Sequence, residues 1–231
     1  MPNLGLARAQ VAQRNGRSVV TQQYGQAPLQ WHRPLYLEQQ TYPTLYLRTP
    51  SAGLLGGDVH DLEISVGASS TLEVRTQAAT MVYPGISQQT VKLHIAAGGK
   101  LVYLPHPLIL AAGADFRQRV HIDLAPDSWL EYQDVWAAGR IAMGEQWQFE
   151  RFDTLTEIYV GTALAYRERW VLQPTRTPLT HPLVCGKYTQ FRSVYRFGLG
   201  DFTPISYSMP SGSRSWVLSK PMGQICRIFS G

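Results

Sequence analysis

Residues 49–66 read T-P-S-A-G-L-L-G-G-D-V-H-D-L-E-I-S-V, a loop of fixed shape that runs straight into a strand. Pro50 locks its own φ and pushes Thr49 towards extended backbone. Gly53, Gly56 and Gly57 supply positions where φ can turn positive without a Cβ clash. From Val59 to Val66 the residues alternate with period two, which predicts a β-strand with His60, Leu62, Ile64 and Val66 on one face. Asp58 falls at the junction, where a carboxylate either closes the turn through neighbouring N–H groups or faces a partner.

The same grammar extends outward in both directions. Strands are expected at 17–24 and 29–37, with the opening residues frayed, and then at 59–66, 71–76, 79–83, 89–96, 100–104, 108–111 and 116–124. Turn residues recur about every ten positions, the spacing of an all-β fold. No window combines a sustained i, i+3, i+4 apolar pattern with caps at both ends, so helix is a minority. A sandwich, a barrel and a β-helix all remain open, and no internal repeat of about 20 to 25 residues announces a solenoid. Six prolines from Pro174 to Pro221 break up residues 173–231, where irregular structure is expected, above all between Gly198 and Ser215.

A chain of 231 residues without a linker-like stretch predicts one sizeable domain. The net charge is +5, and Lys and Arg are scattered from Arg8 to Arg227 with no basic run, so nucleic acid is not an expected partner. No stretch reaches the ~20 apolar residues of a membrane span. Arg8 and Arg14 interrupt any apolar leader, and Cys185 and Cys226 are too few for a disulfide framework, which together predict a cytoplasmic setting. The phosphate loop of a GTPase, the nucleophile elbow, the H-E-x-x-H helix and the C-x-x-C pair are all missing from the sequence.

What chemistry there is lies in the facing of the acids. Strand geometry puts Asp134 with Leu130, Tyr132 and Trp136, and Glu168 with Tyr166, Trp170 and Leu172. If a strand follows Gly144, Glu145 shares a face with Trp147 and Phe149. A carboxylate withdrawn from water costs several kcal/mol unless it is paired, hydrogen-bonded or protonated. Two explanations are open: local pairing with Arg75, Arg140, Arg167 or Arg169 or with backbone N–H groups, or a wet internal passage in which oxygen ligands and an imidazole hand on a divalent cation. A carbohydrate hydrolase with Asp134, Glu145 and Glu168 supplying an acid/base pair also fits the residue types, as does a β-rich adaptor without a metal role. The six His are scattered, which speaks against a tight metal site. His181 and Cys185 are four apart, but Pro182 opposes a helix that would join them, leaving a loop His beside a buried Cys.

Five segments in one order resemble the UreD family of urease accessory proteins, called UreH in some bacteria. They are PLQWHRPLYLE (Pro28 to Glu38), TPSAGLLGGD (Thr49 to Asp58), TQAAT with Tyr83 (Thr76 to Tyr83), YLP (Tyr103 to Pro105) and GRIAMGEQWQF (Gly139 to Phe149). The likeness is clearest over 20–172, and Gly198 to Gly231 does not match the family's C-terminal part, so that end reads as divergent or truncated within a single domain spanning 1–231. The resemblance implies a mainly β fold, an irregular β-helical stack of short strands with a few short helices. It also implies a non-catalytic maturation factor joining UreF, and through it the GTPase UreG, to the urease apoprotein in a hetero-oligomer. Nickel would pass along a water-filled route with no tightly bound cofactor. By position the route falls to Asp58, Thr76, Asp134 and Glu168, with His60 and Glu145 added by their facing. His106 stands where the family more often has Gln or Glu, so no family role is carried to it. Trp31, Tyr36 and Tyr46 are interface candidates, with core packing as their competing fate.

Overall fold

Period-two burial runs through most of the strands and sorts them into two facing sheets. The computed structural model describes residues 3–37, 40–51, 53–198, 214–220 and 223–230. The first sheet holds β1 (Leu4–Arg14), β2 (Arg17–Gln26), β6 (Val59–Val66), β9 (Gly85–Ile95), β12 (Ala114–Leu124), β14 (Arg151–Val160) and β15 (Ala163–Leu172), in the order β15-β14-β12-β9-β6-β1-β2. The second holds β3 (Gln30–Trp31), β4 (Thr44–Arg48), β7 (Thr71–Thr76), β10 (Lys100–Leu104), β13 (Trp129–Ala137), β16 (Gln190–Phe197), β17 (Arg214–Lys220) and β18 (Gly223–Ser230), in the order β17-β18-β16-β13-β10-β7-β4-β3. Three short strands run beside it: β5 (Gly53–Leu54), β8 (Thr80–Val82) and β11 (Leu108–Leu110).

From β6 to β14 the chain winds between the sheets, and each strand pairs in parallel with the one a rung earlier. Val59 lies opposite Gln88 and Gln88 opposite Arg117, while Thr71 lies opposite Lys100 and Lys100 opposite Trp129. Each of these rungs is 29 residues long, so the repeat is one of geometry and not of sequence. Antiparallel strands close both sheets: β2 and β15 in the first, β3, β16, β18 and β17 in the second. Leu62, Ile64, Leu93 and Ile122 from one sheet meet Leu45, Leu72, Val74 and Leu101 from the other, and an aromatic cluster of Phe116, Trp136, Phe149, Phe152 and Phe191 fills one end.

The fold is mainly β, as expected, and strands 59–66, 71–76 and 100–104 have the predicted bounds. Four expectations are corrected. The opening residues do not fray: Ala7, Ala9 and Val11 are buried, and β1 is held between β2 and β6. Of 29–37 only Gln30–Trp31 is strand, followed by a single bridge from Leu35 to Thr44; Pro34 between them has no N–H to give a ladder. No strand follows Gly144. Ile141–Met143 forms a 3₁₀ turn that Gly144 ends in the left-handed conformation, and Trp147 also has positive φ. The irregular structure expected over 173–231 holds for the turns of 173–189, but 190–197, 214–220 and 223–230 are strands of the second sheet. Most of Gly198 to Ser215 lies outside the described residues.

One irregularity positions the site. The second sheet is slit: β4, β7 and β10 stop at Arg48, Thr76 and Leu104, and β5, β8 and β11 resume at Gly53, Thr80 and Leu108. Pro50, Pro105 and Pro107 fall in the gap, where a missing N–H prevents the ladder from continuing. β13 borders the gap and runs past it unbroken, pairing with β10 up to Tyr132 and with β11 from Trp136, so Gln133, Asp134 and Val135 face the slit. Gly53 lets the ladder resume, since a Cβ there would sit 2.0 Å from the Met81 carbonyl oxygen.

Candidate functional site

Behind the slit lies a cavity of about 100 Å³ between the sheets, room for several water molecules at roughly 10–15 Å³ of such volume each. Exposed Arg48, Gln77, Ala78, Ala79 and His106 surround its mouth. The first sheet contributes His60, Gln89 and Gln118, and the second contributes Tyr103, Tyr132 and Asp134.

The winding explains why these groups meet. His60 is the register partner of Gln89, Gln89 of Gln118, and Gln118 of Thr154, so one row of polar side chains crosses the inner face of the first sheet. Thr154 Oγ1 donates to Gln118 Oε1 at 3.1 Å, and Gln118 Nε2 donates to Gln89 Oε1 at 3.3 Å. His60 ends the row. Its side chain is 1% exposed and its Nε2 has no hydrogen-bond partner. Burial lowers its pKa, opposed by the charge of Asp58, so the imidazole is neutral with a lone pair to offer.

On the facing sheet Tyr103, Tyr132 and Tyr195 are successive register partners, and their rings stack at 5.6 and 5.4 Å between centroids. Asp134 projects beside this ladder. It makes no hydrogen bond within the described residues, and burial pushes its carboxyl up to about 6 against the pull of Arg227. The three tyrosine hydroxyls are raised in turn, first by burial and then by Asp134. Beyond the cavity the Tyr195 hydroxyl donates to Glu168 Oε2 at 2.7 Å, and Arg227 closes an ion pair with the same carboxylate.

The predicted residues therefore separate. His60 and Asp134 line the cavity and Thr76 stands at its mouth, where its Oγ1 accepts from the His106 N–H at 2.8 Å and donates to the Ala78 carbonyl at 3.2 Å. Glu168 lies further in, behind Tyr195. Asp58 closes its turn, accepting from the Leu55 N–H at 2.9 Å. Glu145 is buried but not on the cavity wall, and its facing with Trp147 and Phe149 as a strand is corrected. Its carboxylate accepts from Arg140 Nε at 2.9 Å and from the Ala112 N–H at 2.8 Å, contacts that hold its pKa down, Arg140 foremost. These pin the returning loop, which Gly139 admits because a Cβ there would meet the Glu145 carbonyl oxygen at 2.4 Å. His181 is exposed and accepts from the Leu183 N–H at 3.2 Å, while Cys185 is buried with its thiol pushed up to about 11. Asp134, Glu145 and Glu168 do not pair with one another in the hydrogen bonds and ion pairs of the described residues. Among those residues no three His, Cys, Asp or Glu side chains converge on a common point.

Sequence reasoning missed Gln89 and Gln118, which period-two counting would have placed on the inner faces of 89–96 and 116–124. It set aside His106, which the slit brings to the mouth. Arg227 carried no local signal, because only the register of β16 and β18 brings it inward. Trp31 is half-buried against the core, and Tyr36 is 39% exposed with the Arg17 guanidinium 4.7 Å from its ring centre.

Comparison with known proteins assigns the chain to the urease accessory proteins. A family model described as UreD urease accessory protein matches residues 4–213. Urease accessory protein UreD 2 of Synechococcus sp. strain JA-3-3Ab is 38% identical over 226 residues, covering 90% of this chain and 80% of the relative. Urease accessory protein UreD of a second Synechococcus strain, JA-2-3B'a(2-13), is 37% identical over 229 residues, covering 94% and 83%. The Haloarcula marismortui protein of that name is 31% identical over 155 residues, covering 66% and 52%. The chain belongs to the UreD family. Among the described residues no helix is long and apolar enough to cross a membrane.

Proposed function

We propose that this protein is a non-catalytic scaffold of urease maturation, joining UreF and through it the GTPase UreG to the urease apoprotein in the cytoplasm, and that nickel travels through its interior. One observation carries the second part: His60 Nε2, buried and without a hydrogen-bond partner among the described residues, and the buried carboxyl of Asp134 stand on the wall of one water-sized cavity. Leaving a buried polar group unsatisfied costs about 1–3 kcal/mol, a cost that a cation with its waters would offset. Imidazole nitrogen and carboxylate oxygen are ligands that nickel accepts. Two of them with water complete no strong site, which suits cargo that must leave again. Thr76 at the mouth and Glu168 beyond Tyr195 extend the route at either end. Asp58 and Glu145 serve the walls through the turn and loop that they fasten.

Co-expression with UreF, UreG and urease, followed by affinity capture, tests both parts. The protein should co-elute with UreF. Asp134→Ala and Glu168→Ala should leave that complex intact and lower the nickel content of the matured urease. Failure to co-elute would remove the scaffold, and full nickel loading in both variants would remove the passage.

A further inference from the structure

The polar interior does not end at the cavity. Asp134, Ser193 and Arg227 are successive register partners across β13, β16 and β18, so Arg227 enters the space between the sheets two strands beyond Asp134. Its guanidinium pairs with Glu168, donates to the Tyr166 hydroxyl at 3.1 Å and lies 5.3 Å from the centre of the Trp170 ring. The side chains of Arg227 and Glu168 are only 11% and 12% exposed. Glu168 also accepts from Tyr195, and Tyr166 lies against the Tyr195 ring at 5.7 Å.

A guanidinium keeps its proton at any pH a folded protein meets, so it is a fixed internal cation. The oxygens against it are those of Glu168 and the Tyr166 phenol, and the Tyr195 phenol lies on the same carboxylate. Without the guanidinium this is a buried, anionic, oxygen-rich pocket, and a divalent cation would satisfy it in the way the arginine now does.

We infer that Glu168, with Tyr166 and Tyr195, forms a second divalent-cation site that Arg227 fills as a built-in surrogate, so that a cation moving inward from the cavity must displace Arg227. The part played in transit rests on the passage reading above, whereas the site itself does not.

The test uses the full chain and nickel ion alone, by equilibrium dialysis at pH 7.5. Arg227→Gln should bind nickel at least about tenfold more tightly than wild type, since it removes one positive charge from a site with little solvent screening. The gain should vanish in the double variant Arg227→Gln with Glu168→Gln. Thermal melting checks that the variants fold. If Arg227→Gln fails to fold, Arg227→Lys replaces it; a lysine cannot reproduce the fork that holds Glu168 and Tyr166 together, so nickel binding should tighten about threefold. Wild-type nickel affinity in the folded variant, or a gain that survives Glu168→Gln, would overturn the inference. Failure of the passage reading has a different signature: urease fully loaded with nickel in the presence of Asp134→Ala.

Discussion

Asp134→Asn exchanges a buried, ionisable carboxyl for a neutral amide of nearly the same shape. Burial raises that carboxyl from its ordinary 3.8 to about 6. A carboxyl whose folded pKa exceeds its unfolded one stabilises the fold fully below the unfolded value, near pH 4, and that stability is lost as pH rises through about 6. A rise of this size corresponds to about 3 kcal/mol. Asn carries no charge and escapes the loss, so the variant should be more stable than wild type by about 1–3 kcal/mol at pH 8, with the difference fading towards pH 4. Urea denaturation of both proteins at several pH values between 4 and 8 measures the gap. A variant less stable at pH 8, or a difference that does not change with pH, would refute the argument. If Asp134 belongs to the passage, the same substitution lowers the nickel content of matured urease while stabilising its carrier, a combination that damaged packing does not produce.

Gly53→Ala places a methyl group 2.0 Å from the Met81 carbonyl oxygen at a φ of +138° and should cost about 2–4 kcal/mol in urea denaturation; a loss under about 1 kcal/mol would mean that β5 and β8 do not lie this close. Glu145→Gln weakens the tie to Arg140 and Ala112, so the denaturation midpoint should fall while nickel delivered per folded molecule stays at the wild-type level. Wild-type stability with a selective loss of nickel would return Glu145 to the passage.

The strands were legible because alternation records local burial, and β6 shows it at every position from Val59 to Val66. The inward facing of His60, Asp134 and Glu168 was legible for the same reason. The coil was not, because a rung of 29 residues repeats in backbone register while its side chains differ: Leu62, Val91 and Val120 are register neighbours and share only an apolar character. Glu145 was misread because counting by two assumes a strand, and the left-handed Gly144 and Trp147 end one. Arg227 was out of reach, since 59 residues separate it from Glu168 and only the antiparallel return through β16 brings the two together.

The change of character inside the fold is abrupt and coincides with the slit. Leu62, Val91 and Val120 form an apolar row across the first sheet, and two residues earlier on each strand the row becomes His60, Gln89 and Gln118. An apolar row there would pack as its neighbour does and would leave no donor or acceptor to satisfy. The amides and Thr154 largely satisfy one another, whereas His60 Nε2 at the end of the row and Asp134 across the gap do not. Those two groups lie on the cavity that the proline-bearing breaks open to solvent. Stability alone gives no reason for the coincidence, since each group destabilises the fold where it stands. The passage proposed above would give one, because a mobile, water-borne cation needs an opening, room for its hydration shell and ligands that are not already engaged.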